Sequence, residues 1–210
     1  MTNATTLFAR ALDPRAPMPD DATSEKILDA ALELAVLSGL RHLTVEDVAQ
    51  RAGVGRITVY RRFTDKQGLL DALMVRELRK NLTSLRASVD VALEPEEQIV
   101  EGFVAALRIA REHPLLVRIF RHEREDALNV VGTPEVFALL RAFMAAQLRG
   151  DRRRKKTKGG ADVELVAELV VRLGLSFLFL PDSIVPLDDE KAVRKLARNA
   201  IAPMLAPREG

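Results

Sequence analysis

Residues Thr44 to Leu70 read TVEDVAQRAGVGRITVYRRFTDKQGLL, and this stretch decides the fold. Thr44 is placed to cap a short helix, with Asp47 three residues on as a variant of the capping box. Val45, Val48 and Ala49 give that helix an apolar side. Gly53 then tolerates the left-handed conformation that ends a helix and turns the chain sharply. Val54 plugs the junction and Gly55 opens a second helix. On it, Val59 and Phe63 are spaced to bury while Arg56, Thr58, Tyr60, Arg61 and Arg62 remain available to point outward. That outward set is cationic, hydroxylic and aromatic, which suits phosphates and base edges.

Two helices held at a fixed angle by a small core can push one helix end into a DNA major groove about 12 Å wide. Charge agrees with this use. Between Arg41 and Lys66 six basic residues (41, 51, 56, 61, 62 and 66) face three acids (46, 47 and 65). A generic helix pair with a few arginines would be read instead as a hairpin with a solvated basic face.

The order TVEDVAQRAGV, then TVYRRF, then a lysine followed by paired leucines closely resembles the DNA-binding domain of tetracycline-repressor (TetR) family regulators. The matching positions are Thr44, Ala49, Gly53, Val54, Thr58, Tyr60, Phe63, Lys66, Leu69 and Leu70. Two positions depart from the pattern: Gly55, where a capping serine is frequent, and Ile57, where a small residue is usual. The resemblance implies phosphate contacts from Thr44, Tyr60 and Lys66, and groove contacts from Arg56, Thr58 and Arg61. It further implies an all-α fold, with an N-terminal three-helix helix-turn-helix domain followed by a C-terminal helical domain for ligand binding and dimerisation.

The flanking sequence fits that outline. Residues 1–21 carry Pro14, Pro17 and Pro19 without lasting periodicity and are expected to form a disordered tail. Thr23 to Ser38 has Ile27, Leu28, Ala31, Leu34 and Ala35 at helical spacing, the floor on which the next two helices rest. The DNA-binding domain is thereby expected over residues 22–67 and the effector-binding and dimerisation domain over 68–210. After Asp65 a long helix is expected to about Val89, roughly 36 Å of rod that could serve as a lever between them. Beyond it the helical patterns run Pro95 to Glu112, Pro114 to about Glu125, Pro134 to Leu148, Ala161 to Leu180 and Asp189 to about Leu205. Thr133-Pro134-Glu135 is a clear start: a cap, a first-turn proline and a dipole-matched acid.

Two features of the second half concern function. Ala161 to Leu180 is apolar on more than one side, so a partner beyond its own subunit is expected. Leu169, Val170, Leu173 and Gly174, with Leu196 and Ala200 of the last helix, are the candidates for a four-helix homodimer interface. Phe103, Leu107, Phe120, Phe137, Leu140, Phe143, Met144 and Phe177 are the candidates for an effector cavity, though each type at such spacing more often fills a core. With eight phenylalanines, one tyrosine and no tryptophan in the chain, a mainly apolar small molecule is the expected ligand.

The 210-residue chain is 48% hydrophobic with a formal net charge of +2, ample for a core and not generally sticky to nucleic acid. No cysteine is present, which removes disulfides and thiolate ligands and suits a reducing cytoplasm, the expected location. Neither a signal peptide nor a membrane span is expected; Glu164, Glu168 and Arg172 interrupt the most apolar helix. The basic run from Arg149 to Lys158, closed by Gly159 and Gly160, is read as a solvated loop. His122-Glu123 begins like a zinc HExxH motif, but Asp126 stands where the second histidine is needed. No metal, cofactor or catalytic residue is therefore expected, and the binding partners are a double-stranded DNA operator, a second copy of the chain and a small effector. A helical protein-interaction module without DNA binding is the alternative, with an enzyme the least favoured reading.

Overall fold

A computed structural model of the chain describes residues 4–13, 15–90, 92–149 and 163–205, without the side chains of Pro95 and Leu205. The described residues form helices and no strands. They divide into two compact units, Met1–Leu82 with Pro114–Ala127, and Thr83–His113 with Leu128–Gly210.

The first unit begins with a helix where a disordered tail is expected: α1 spans Ala4–Leu12 and buries Ala11. Its C-terminal end is held by a distant residue. The Arg79 guanidinium donates from Nη2 to the carbonyls of Arg10 (2.8 Å), Asp13 (2.9 Å) and Ala16 (3.1 Å). These are carbonyls that a helix end and its following turn leave without intrahelical donors.

Helix α2, Ala22–Ser38, is capped by Asp21, which accepts from the Thr23 and Ser24 amides and, at 2.6 Å, from the Ser24 hydroxyl. The Ser24 hydroxyl, the backbone amides and Arg62 hold the Asp21 carboxyl below its ordinary value, against the opposing effect of burial. Helix α3, Val45–Ala52, starts as expected: Thr44 Oγ1 accepts from the Asp47 amide (3.1 Å) and donates to the Asp47 carboxylate (2.6 Å). It ends at Gly53 with φ 62° and ψ 38°, the left-handed conformation that glycine enters without steric cost. Helix α4, Arg56–Phe63, follows.

The joint between α4 and α5, Lys66–Ala87, is tight. Thr64 has φ 62° and ψ −57°, and the Asp65 amide donates to the Phe63 carbonyl at 2.6 Å, a γ-turn of the strained positive-φ kind. A Cβ at Gly68 would stand 2.2 Å from that carbonyl oxygen, so only glycine fits there. Ile27, Leu28, Val48, Val59, Phe63, Leu69 and Leu73 form the core of this unit.

Besides α1, Leu69 and Leu73, two further contributions to the unit lie outside the expected 22–67 boundary. Helix α7, Pro114–His122, puts Leu115 into the same core, and the Arg118 guanidinium donates to the Val36 and Leu37 carbonyls at the end of α2. The other is a charged cluster. Arg76 of α5, 5% exposed, reaches Glu25 (3.0 Å) and Asp29 (2.8 Å) of α2 and Glu77 (2.8 Å) beside it. Burial pulls its pKa down, but Glu77 and Asp29 outweigh this and hold it above the ordinary arginine value.

In the second unit α6, Pro95–Glu112, packs with α10, Val163–Phe179, and α11, Glu190–Leu196, while α9, Pro134–Arg149, lies along α10. Val100, Phe103, Leu107, Val166, Val170, Val193 and Ile201 are buried together. The last helix does not run uniformly to Leu205. It widens to a π-helical turn at Ala197–Ile201 and tightens to a 3-10 turn at Ala202–Leu205. Pro203 supplies the reason, because a proline inside a helix removes an amide donor and crowds the preceding turn. Arg194 grips Glu101 with two bonds (2.6 and 2.9 Å), and Arg198 grips Glu97 likewise (3.0 and 2.8 Å). The expected single helix from Pro114 to Glu125 is also divided: α7 stops at His122, and α8, Arg124–Val131, begins after Glu123.

Candidate nucleic-acid interface

The surface of α4 is sorted by the burial of its inner side. Val59 and Phe63 are 1% and 4% exposed, which fixes the rotation of the helix. Arg56, Ile57, Tyr60 and Arg61 are left exposed, with Thr58 and Arg62 half-buried. Positions 56 and 60, 57 and 61, and 57 and 60 are each three or four apart, so the exposed four share one face.

Each expected contact residue has a definite environment. Thr44 is exposed, with its hydroxyl committed to the cap of α3. Arg56 pairs with Glu46 across the turn between α3 and α4. Tyr60 is 41% exposed. Arg61 is exposed and makes no ion pair or hydrogen bond among the described residues. Lys66 Nζ donates to the Arg41 carbonyl at 3.0 Å, leaving two ammonium protons for another acceptor.

The local cationic excess read from residues 41–66 is thus largely matched by acids, several of them beyond that window. Arg41 pairs with Asp126, Arg51 with Glu33, and Arg62 with the α2 cap Asp21. Such distant partners carry no periodic signal in the sequence. Pairs at this exposure are worth about 0–1 kcal/mol, so a phosphate can replace the carboxylate at little cost. Arg62 differs from the others. It is 29% exposed and also lies 3.4 Å from the Ser24 hydroxyl, so it ties α4 to the start of α2. Gly55 leaves the amides at the start of α4 without a side-chain acceptor, a site where anions are favoured.

The candidate effector residues are not gathered as one lining. Phe103 and Leu107 are buried in the core of the second unit, with Phe177 edge-on to Phe103 at 6.3 Å and 74°. Phe137 is covered by the Arg172 guanidinium (4.6 Å) and Phe143 by that of Arg86 (5.5 Å). Leu140 and Met144 are half-buried on α9. Phe120 lies on α7, within the other unit, and so is separated from the set by the division of the chain.

A cleft that sequence reasoning missed opens within the first unit. It holds about 800 Å³ and is lined by Ser38, Arg41, His42, Arg118, Arg121 and residues 122–126. It is polar, and two of its four arginines, Arg41 and Arg118, pair with Asp126 and Glu123. No group of three or more metal-ligating side chains comes together among the described residues.

The candidate dimer residues divide as well. Val170 is 3% exposed in its own unit's core, which corrects its assignment to an outer face, and Leu173 and Leu196 pack partly against that core. Leu169, 38% exposed, and Ala200 remain on the surface, and a Cβ at Gly174 would meet nothing within 4 Å. Leu165, 49% exposed, joins Leu169 on the open side of α10 one turn away. The basic run that follows Arg149 lies outside the described residues. No single helix among those described is long and apolar enough to cross a membrane.

The comparisons with known proteins agree with this fold. The family model for bacterial regulatory proteins of the tetR family matches residues 27–73, the span from α2 into α5. The HTH-type transcriptional regulator Rv1255c of Mycobacterium tuberculosis is 27% identical over 188 residues, which is 89% of this chain and 87% of that relative. Among solved structures, the fatty acid degradation regulator FadR from Bacillus halodurans has a TM-score of 0.63 at 20% identity, over 85% of this chain and 96% of its own. The TetR family repressor AlkX from Dietzia sp. strain DQ12-45-1b, implicated in biodegradation of n-alkanes, has a TM-score of 0.54 at 25% identity, over 86% and 93%. With its helix-turn-helix, its second helical unit and these relatives in common, the chain is similar to the tetR family of bacterial regulatory proteins, whose DNA-binding domain residues 27–73 match.

Proposed function

We propose that this DNA-binding transcriptional regulator is a repressor that binds a near-palindromic operator as a homodimer and is released by a small, mainly apolar molecule. The observation that carries the reading is the outward face of α4, where Arg61 has no protein partner among the described residues and Tyr60 and Arg56 stand beside it. Arg56, Thr58 and Arg61 read base edges in this proposal, while Thr44, Tyr60 and Lys66 hold phosphates. The exposed leucines of α10 and the open space at Gly174 support pairing through that helix. A second copy would present the same face, as two-fold symmetry requires.

The effector half of the reading draws on two supports. One is the apolar interior of the second unit, where Phe103 and Phe177 meet among aliphatic side chains; the other is the likeness to a repressor implicated in n-alkane biodegradation. An effector that prefers a conformer with mismatched heads by about 1.4 kcal/mol weakens the operator complex tenfold.

The test is selection from a random duplex pool by the purified protein, read by sequencing. The expected product is an inverted repeat with half-site centres about 34–36 Å apart, one helical turn. Enrichment of single, unpaired half-sites would refute the dimeric operator. No enrichment at either low or moderate salt would refute operator binding and favour the protein-interaction alternative.

A further inference from the structure

The face of α4 that carries Tyr60 and Arg61 has an apolar residue in it. Ile57 is 83% exposed, the most exposed large hydrophobic on any helix among those described. It sits one turn from Arg61 in the first turn of the helix. Nothing in the fold accounts for it. Its side chain is absent from both buried clusters and from the hydrophobics packed against them. A β-branched residue is also a poorer helix former than alanine. An isoleucine standing in water here costs the folded chain a little and returns no packing.

What such a side chain can meet depends on the surface that α4 addresses. Phosphates and sugars offer polar and charged groups, which Arg56, Tyr60, Arg61 and the amides at the start of α4 already suit. The major groove offers one apolar group on its floor, the C5 methyl of thymine. Residues in the first turn of a helix docked end-on are those that reach base edges. We infer that Ile57 is a specificity-determining residue, packing its branched side chain on a thymine methyl in each operator half-site. The inference rests on the operator binding proposed above and names the base that binding selects.

The experiment uses the full-length protein and the duplex enriched by selection. Each thymine is replaced in turn by deoxyuridine, which deletes only the methyl, and affinity is read by fluorescence anisotropy. The expected result is a loss confined to one symmetry-related pair of thymines, about fourfold for one half-site and about sixteenfold for both, as for burial of one methylene-sized group each. Ile57→Ala should bind the unmodified operator more weakly and lose all sensitivity at that pair. It should keep the circular dichroism and thermal midpoint of the parent, since Ile57 packs on nothing. Ile57→Val, which retains a branched methyl, should keep part of the sensitivity.

Three results overturn the inference. An operator that tolerates deoxyuridine everywhere, or one whose sensitivity survives Ile57→Ala, sinks it while leaving operator binding intact. Selection without an enriched operator sinks both readings together, and is recognised before any thymine is replaced. A selected site with no thymine in either half counts with the first of these.

Discussion

Arg76→Met removes the guanidinium beneath three carboxylates and leaves a chain of similar length in its place. The three losses are unequal. Asp29 and Glu25 are 63% and 44% exposed, so water and salt screen them and each contributes at the level of a surface pair, about 0–1 kcal/mol. Glu77 is 5% exposed and would keep a buried charge with its nearest cation gone. Stripping one partner from a buried pair costs about 3–5 kcal/mol. Two features lower that figure. Lys80 Nζ lies 3.8 Å from Glu77 Oε1 and is free to turn toward it. Arg76 Nη2 is itself buried without a hydrogen-bond partner, a debit of about 1 kcal/mol that disappears with the side chain.

A net loss of about 2–3 kcal/mol follows. For a unit of this size that lowers the thermal midpoint by about 8–24 °C. Urea and thermal denaturation, followed by circular dichroism at pH 7, measure it. Arg76→Lys should recover only part, because an ammonium cannot span carboxylates on two helices as a planar fork does. The double variant Arg76→Met with Glu77→Leu should regain most of the stability, since no charge is then left buried. A loss below about 1 kcal/mol for Arg76→Met would refute the argument, as would a double variant no better than the single one.

Three further outcomes are expected. Lys66→Ala should weaken binding to every duplex and flatten the dependence of log K on log salt by about 1, whereas Arg61→Ala should cost about 1–3 kcal/mol and relax base preference at one position; titrations of the operator and a scrambled duplex at several salt concentrations separate the two. Acid should destabilise the chain: side-chain bonds from Arg194 and Arg198 hold Glu101 and Glu97 below their ordinary 4.5, and Ser24 holds Asp21 below 3.8. A depressed folded pKa means the stabilisation is whole above the ordinary value and disappears as pH falls through the folded one. Denaturation midpoints should therefore hold steady down to about pH 5 and drop below it, and Glu97→Gln with Glu101→Gln should shallow that drop. Leu169→Glu should give a folded monomer by sedimentation velocity, whereas Val170→Glu should fail to fold, because only the second side chain lies in the core.

The helices of the first unit were legible where local rules govern them. Thr44 with Asp47 and Gly53 act within a few residues, and the motif they punctuate is read directly. The anchoring of α1 was not, because it depends on Arg79, which lies on α5 and reaches back to carbonyls that no pattern advertises. The same holds for α7. Pro114 announces a helix, but nothing in its own residues tells which core Leu115 enters. On α10 the apolar positions are visible as two sides of one helix, yet which side faces inward is decided by α6 and α9. Val170 and Leu169 are apolar neighbours with opposite fates. For the candidate interface, the residue types were readable and their electrostatic state was not, since Asp21, Glu33 and Asp126 come from other elements.

The two sides of α4 answer to different demands. Val59, Phe63 and Arg62 anchor the helix, and changing them unsettles the whole head. Ile57 and Arg61 have no such duty. Under the role proposed for this face, substitutions at Ile57 and Arg61 would alter the sequence bound with little consequence for folding. On that same proposed role, a changed binding preference needs only a few codons of one short helix, and the core that holds the head together is left as it was.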